Sequence, residues 1–213
     1  VDDDVLALAD SYTNAAAVKQ ADVFEAVPLT KTVPWAHQLR AYHFAKALPA
    51  CYLALGLGAG KSKVVVDLAV NLGWRRTLIV CPKSVVPVWP RQFALHGGAY
   101  VQVLALDAGS VASRQREAKA AWGSSHPVAF VINYAGLIGA DFRKWAAAQA
   151  WDAIVIDEGH HIKAAGGVAS HFAALIGPHA ARRIILSGTP MAHSPLDLYG
   201  QYRVLDPGIF GTS

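Results

Sequence analysis

Ala54-Leu55-Gly56-Leu57-Gly58-Ala59-Gly60-Lys61-Ser62 is the stretch on which the reading of this chain turns. An apolar run, Cys51-Tyr52-Leu53-Ala54-Leu55, leads into it, and a segment with helical spacing, Lys63 to Leu72, leaves it. A strand that turns through glycines into a helix opening Gly-Lys-Ser is a phosphate cradle. Successive backbone N–H groups face one anion there, and the helix N-terminus adds partial positive charge. Leu57, Gly58, Ala59 and Gly60 would supply those N–H groups. Lys61 would reach the outer phosphates, and the Ser62 hydroxyl would hold Mg²⁺. The strict pattern G-x-x-x-x-G-K-[ST] asks for glycine where this chain has Leu55, so its first glycine is missing and its Gly-Lys-Ser end is intact.

Working outward, element types alternate. Helical spacing over Trp35–Ala45 follows Pro28 and Pro34 and stops at Pro49. After the loop, strand-like runs at Thr77–Cys81, Val101–Leu106, Val128–Ile132, Ala153–Ile156 and Arg183–Leu186 alternate with helical stretches. Those stretches are Val85–Leu95, Ser110–Trp122, Phe142–Ala150, Val168–Ile176 and Pro195–Leu205. Gly73 is placed to stop the helix after the loop, and Pro87 and Pro90 crowd the start of the next. Strands alternating with helices predict right-handed crossovers and a mostly parallel sheet covered on both faces. The expected fold is α/β, with three layers, over residues 28–213. Residues 1–27 open on Asp2-Asp3-Asp4 and continue alanine-rich; they read as a short helix or a loosely attached arm.

The totals agree with one well-buried domain. Of 213 residues, 54% are hydrophobic and 16% charged, as buried parallel strands require. No run of about 18 apolar residues occurs, so no membrane partner is expected. The net charge of +4 permits a nucleic-acid partner without demanding one. Cys51 and Cys81 lie in apolar runs and read as buried free thiols. No charged-then-apolar leader with a cleavage site is present, and the protein is read as intracellular.

In a parallel sheet, ligands bind beyond the C-terminal ends of the strands. Ile154-Val155-Ile156 runs straight into Asp157-Glu158-Gly159-His160-His161. Phosphoryl transfer needs one carboxylate to hold Mg²⁺ and a second to orient the attacking water. Asp157 and Glu158 suit those two roles. A second strand tip, Leu186-Ser187-Gly188-Thr189-Pro190, offers small hydroxyl residues that could approach phosphates or carboxylates closely.

In this order the motifs resemble the first motor domain of superfamily 2 helicases, and more narrowly the Swi/Snf-type DNA translocases. Ala54–Ser62 stands where that family has Gly-Leu-Gly-Lys-Thr. Asp157-Glu158-Gly159-His160 stands for its Asp-Glu-Gly-His or Asp-Glu-Ala-His. Ser187-Gly188-Thr189-Pro190 resembles the motif that couples hydrolysis to movement. Gln38 resembles the glutamine that reads adenine. Lys83 and Ser84, followed by Trp89, and Asn133 and Tyr134, followed by Leu137, resemble segments that touch the DNA backbone. Leu196–Tyr199 and Leu205–Gly211 resemble the stretch that closes the first motor domain. The coverage runs from about Val33 to Gly211.

The resemblance implies a RecA-like fold, ATP and Mg²⁺ as cofactors, and double-stranded DNA as partner. It implies catalytic roles for Lys61, Asp157 and Glu158, Mg²⁺ on Ser62 and Asp157, and coupling roles for His160, Ser187, Gly188 and Thr189. It further implies a second RecA-like domain beyond Ser213, and slow hydrolysis by this lobe alone. Departures are Leu55 and Gly56, where the family has an acidic pair, and His193, where asparagine is common.

Other readings stand beside these. A strand-separating DNA or RNA helicase, a nucleotide-switched binding module and a small P-loop kinase share parts of the pattern. Gln38 is an adenine reader or a surface glutamine. Lys83 is a DNA contact or a solvated lysine. Trp89 and Tyr134 are core aromatics or DNA contacts. Arg114, Arg116 and Lys119 mark a solvated helix face. Adjacent His160 and His161 should point their side chains apart rather than share a metal, and His161 reads as a plain loop residue.

Overall fold

A computed structural model describes residues 3–20, 25–27, 29–163, 167–191, 194–206 and 208–209. Asp2, Pro28, His193, Gly211 and Ser213, named above, and Pro207 and Phe210 within the stretch Leu205–Gly211, lie outside them. The strands are β1 (Ala50–Ala54), β2 (Arg76–Cys81), β3 (Gln102–Ala105), β4 (Val128–Asn133), β5 (Trp151–Asp157) and β6 (Ala180–Ser187). The helices are α1 (Asp3–Gln20), α2 (Ala36–Ala47), α3 (Lys61–Asn71), α4 (Val88–Gln92), α5 (Val111–Trp122), α6 (Ala140–Ala147), α7 (Val168–Ile176) and α8 (Asp197–Leu205).

All five strand pairings are parallel, in the order β1-β6-β5-β2-β4-β3. The near-continuous apolar strands reflect helices on both faces, since successive side chains point to opposite sides and both sides are dry. In β5, Ala153 and Val155 enter one core with Val64, Leu68, Trp89 and Phe93. Ile154 and Ile156 enter the other with Phe130, Phe142, Trp151 and Phe172. The first stretch of the chain is an 18-residue helix, α1, which packs on α2. Ala15 is buried there, and the Lys19 ammonium lies 5.2 Å from the Phe44 ring.

The expected helices and strands occur, with shifted ends. The segment read as a helix over Val85–Leu95 divides into a 3₁₀ turn at Lys83–Val85, α4, and a π-helical turn at Phe93–Gly97. Pro87 caps α4 and Pro90 falls within its first turn, where a missing N–H breaks no helical bond. Gly73 does stop α3: Trp74 N donates to Ala69 O at 2.9 Å and Gly73 N to Val70 O at 3.3 Å, the paired bonds of a glycine-ended helix.

Arg76 secures the other end of the sheet. Its guanidinium donates to the carbonyls of Trp122, Ser124, His126 and Arg75, and lies 5.6 Å from the Trp122 ring. It thereby satisfies the last carbonyl of α5 and two carbonyls of the turn that follows. Charge-assisted bonds of this kind contribute about 1.5–3 kcal/mol. Arg76→Ala should therefore lower the thermal midpoint by roughly 4–10 °C. Calorimetry on the two proteins checks this, and an unchanged midpoint would refute the capping role.

Candidate nucleotide-binding site

The order of strands makes the site. β6 lies between β1 and β5, pairing Ala54 with Ser187 and Asp157 with Leu186. Three segments far apart in the chain thus end side by side: the glycine loop after β1, Ser187–Pro190 after β6, and Asp157–His161 after β5.

The loop turns where glycine is required. Gly58 and Gly60 have φ of 74° and 79°, in the left-handed region that side chains disfavour. A Cβ on Gly60 would overlap Gln38 Nε2. Leu55, in place of the pattern's first glycine, leaves these two to make the turn; its carbonyl and that of Gly56 accept from Lys61 Nζ at 3.0 and 3.2 Å. The ammonium is therefore held over the loop it would serve, at the first residue of α3, with Ser62 half-buried beside it. Leu57 projects into solvent.

Gln38 is buried and braces the loop from below. Its Nε2 donates to Ala59 O at 3.1 Å, and its Oε1 accepts from Trp35 N at 2.9 Å. His37 Nε2 lies 2.9 Å from the same carbonyl, and since a carbonyl only accepts, that nitrogen carries the proton. No sequence signal singles out His37, because its role depends on where the loop comes to rest.

Asp157 is 5% exposed. Its Oδ2 accepts from Trp89 Nε1 at 3.2 Å and its Oδ1 from Glu158 N at 3.0 Å. Burial first, and then the neighbouring Glu158 charge, push its pKa up to about 6 against the opposing pull of the two hydrogen bonds and Lys61. Trp89 is fully buried, so the structure decides for the core and adds a role the sequence does not suggest: it aims the carboxylate. Removing that donor with Trp89→Phe should raise the Asp157 midpoint further. Following the carboxyl resonance by NMR across pH checks this, and an unmoved midpoint would sink the idea.

Glu158, at φ 51° and ψ 59°, is the one non-glycine residue with positive φ among the described residues. Such a conformation costs about 1–2 kcal/mol and persists where its surroundings impose it, often at functional sites. His160 Nδ1 lies 3.5 Å from Glu158 Oε2, within ion-pair reach but without a hydrogen bond.

The histidine pair departs from expectation. The two rings do not diverge: their centroids are 4.6 Å apart, and His161 stacks on Tyr134 at 5.0 Å. The tight 3₁₀ turn at Gly159–Ile162 brings the adjacent rings together. Burial, then the His160 charge, lowers the His161 pKa. No cluster of three or more metal-ligating residues occurs among the described residues.

Two of the four nucleic-acid candidates turn inward. Tyr134 Oη donates to Asp157 O at 2.6 Å, and burial drives its pKa well up. Asn133 is buried, and its Oδ1 accepts from Gly136 N at 2.7 Å, capping the 3₁₀ turn Tyr134–Ile138. Lys83 and Ser84 are exposed at the tip of β2. Ser187 is fully buried, and its Oγ accepts from Thr189 N at 3.1 Å. Gly188 lies against the loop, where an added Cβ would stand 3.6 Å from Leu55 O and Leu57 N.

Comparison with known proteins agrees with this arrangement. Residues 6–213 match the SNF2-related domain. "Helicase ssl-1" of Caenorhabditis elegans is 27% identical over 165 residues, 75% of this chain and 7% of that protein. "DNA repair and recombination protein RAD54-like" of Drosophila mojavensis is 28% identical over 182 residues, 76% of this chain and 22% of that protein. The chain thus spans under a quarter of these relatives. Among solved structures, "Sulfolobus solfataricus SWI2/SNF2 ATPase core in complex with dsDNA" superposes with a TM-score of 0.73 at 20% identity, over 90% of this chain and 39% of that one. A glycine loop, a carboxylate pair and a Ser-Gly-Thr-Pro turn on adjacent parallel strands, together with a family match over nearly the whole length, place this chain in the SNF2-related domain family.

Proposed function

We propose that this chain is the ATP-binding lobe of a DNA-dependent ATPase that moves along double-stranded DNA when joined to a second RecA-like domain. The observation that carries the proposal is the meeting of three strand tips at one end of the sheet, with Asp157 and Ser187 ending neighbouring strands and Lys61 opening α3 after the loop that follows β1. The residues present fit ATP and Mg²⁺. The two left-handed glycines open a backbone cradle, Lys61 supplies the cation, and Ser62 and Asp157 supply hard oxygen ligands of the kind Mg²⁺ takes. Bound there, ATP with Mg²⁺ would supply the reactive phosphoryl group and neutralise part of its charge.

Each residue then has a part. Lys61 binds the outer phosphates. Glu158 orients water, from a backbone turn that fixes its side-chain direction. Asp157 holds its carboxylate toward the metal, positioned by Trp89. A cleft of about 270 Å³ beside the loop is lined by Trp35, Gln38, Gly58, Gly60 and His96. It suits the base end of a nucleotide, with Gln38 reading adenine, while the phosphates lie on the open loop. Lys83 and Ser84 contact DNA phosphates, so binding is independent of sequence. The superposable ATPase core in complex with double-stranded DNA supports duplex DNA as partner.

The test is direct titration of the 213-residue chain with ATP·Mg²⁺ and with duplex DNA at rising salt. ATP should bind saturably, and DNA affinity should fall steeply with salt. Absence of ATP binding would overturn the reading. DNA binding indifferent to salt would overturn the phosphate-contact part of it.

A further inference from the structure

Behind the site runs a chain of hydrogen bonds that no recognised motif predicts. Tyr52 Oη, from β1, donates to Gln201 Oε1 in α8 at 2.6 Å. Gln201 Nε2 donates to Pro190 O at 2.9 Å and to Asp197 O at 2.6 Å. Thr189 N donates to Ser187 Oγ at 3.1 Å, within the same turn.

Its direction is forced. Backbone carbonyls only accept, so the Gln201 amide nitrogen must face Pro190 and Asp197, and its oxygen must face Tyr52. Tyr52 therefore donates to Gln201, while Ser187 Oγ accepts from Thr189 N. Gln201 and Ser187 are fully buried, so each depends on protein groups for its partners. An apolar pair would fill this space without fixing any one arrangement of the turn; the polar contacts fix one.

Two further contacts tie the Tyr52–Gln201 pair to the rest of the site. A Cβ on Gly159 would strike Ile185 Cγ2 and stand 3.2 Å from Gln201 Oε1 and 3.5 Å from Tyr52 Oη. The Asp157–Gly159 turn therefore rests directly on the Tyr52–Gln201 pair. Tyr52 also lies on the strand that runs into the phosphate loop, and its ring stacks on Tyr202 at 5.9 Å. One half-buried pair thus touches the loop strand, the carboxylate turn and the Ser187–Pro190 turn.

We propose that Tyr52 and Gln201 are positioning residues that hold the Ser187–Pro190 turn against the carboxylate turn, so that nucleotide bound at the loop is felt at Thr189. The proposal rests on the ATP-binding reading above. It is tested by hydrogen–deuterium exchange over residues 187–190 of the full chain, with and without ATP·Mg²⁺, beside an ATP titration. In the wild type, nucleotide should slow exchange at Thr189. Tyr52→Phe keeps the ring and its stack but removes the hydroxyl. It should speed basal exchange at Thr189 by roughly tenfold and abolish the response to nucleotide there, with ATP affinity unchanged. Gln201→Met carries the same expectation through the other partner.

A Tyr52→Phe protein whose Thr189 responds as the wild type does would overturn the proposal, as would a wild type that binds ATP without any response at Thr189. Loss of folding in both variants would show mere structural support and overturn it too. A wild type that binds no ATP would instead refute the underlying reading.

Discussion

Lys61→Ala should weaken ATP·Mg²⁺ binding by about 10–100-fold, the effect of losing one charge-assisted hydrogen bond set to phosphate. Lys61 is 9% exposed, and its ammonium is held by the carbonyls of Leu55 and Gly56. The cation is therefore already seated over the cradle. Its loss removes the one lysine of the loop, while Gly58 and Gly60 keep the backbone turn. Lys61→Arg should rescue poorly, because a planar fork does not replace a compact ammonium at a site sized for the latter. Titration with a fluorescent ATP analogue, beside a melting curve to exclude unfolding, measures the change. An alanine variant that binds as tightly as the wild type would remove Lys61 from the site.

Asp157 gives the second large effect, and its sign can be worked out. The folded pKa is about 6 against an ordinary 3.8. Between those values the folded protein binds a proton that the unfolded chain does not. The contribution of this group to stability is therefore greatest below pH 4 and is lost as pH rises through about 6. A shift of this size corresponds to about 3 kcal/mol. The difference in unfolding free energy between wild type and Asp157→Asn should accordingly fall by about that amount from pH 4 to pH 7. Denaturant melts at several pH values give the curve, and a difference that stays level would overturn the burial argument. Metal binding moves the opposite way. Mg²⁺ needs the ionised carboxylate, so nucleotide affinity in the presence of Mg²⁺ should drop as pH falls below about 6, while stability from this group improves. If Asp157 holds Mg²⁺ as proposed, the bound metal would offset the cost at which the carboxylate is held.

How far the sequence can be read depends on whether a feature is local. The glycine loop, the Asp157-Glu158 pair and the Ser187–Pro190 turn are each contiguous in sequence, and the rule that ligands sit at strand tips is enough to group them. The two cores follow from alternation along strands such as β5. Roles made by distant partners are not legible. Trp89 lies 68 positions from the carboxylate it orients, and Tyr52 lies 149 positions from Gln201. Asn133 and Tyr134 match a backbone-contact pattern, yet their side chains serve a turn cap and the Asp157 carbonyl, which only tertiary placement decides. Adjacent histidine rings are expected to part because neighbouring side chains usually diverge; a 3₁₀ turn brings them together. Gly159 shows the same limit. The family resemblance admits alanine at that place, but here Ile185 leaves no room for one.

The position of β6 between β1 and β5 has a further consequence for how the chain is made. Among the described residues β1 pairs with β6 alone, and β6 is the last strand in the sequence. A ribosome extends the chain from its N-terminus, so Ala50–Ala54 emerges long before Ala180–Ser187. Until then the loop strand has no ladder to join. Central strands β2, β4 and β5 can assemble first, and the nucleotide cradle closes at the end, when β6 slots in beside β5 and captures β1. Pairing across so many residues is entropically slow. Nucleotide competence thus arrives late in synthesis, and a nascent chain that stops short of β6 leaves its phosphate loop on an unpaired strand.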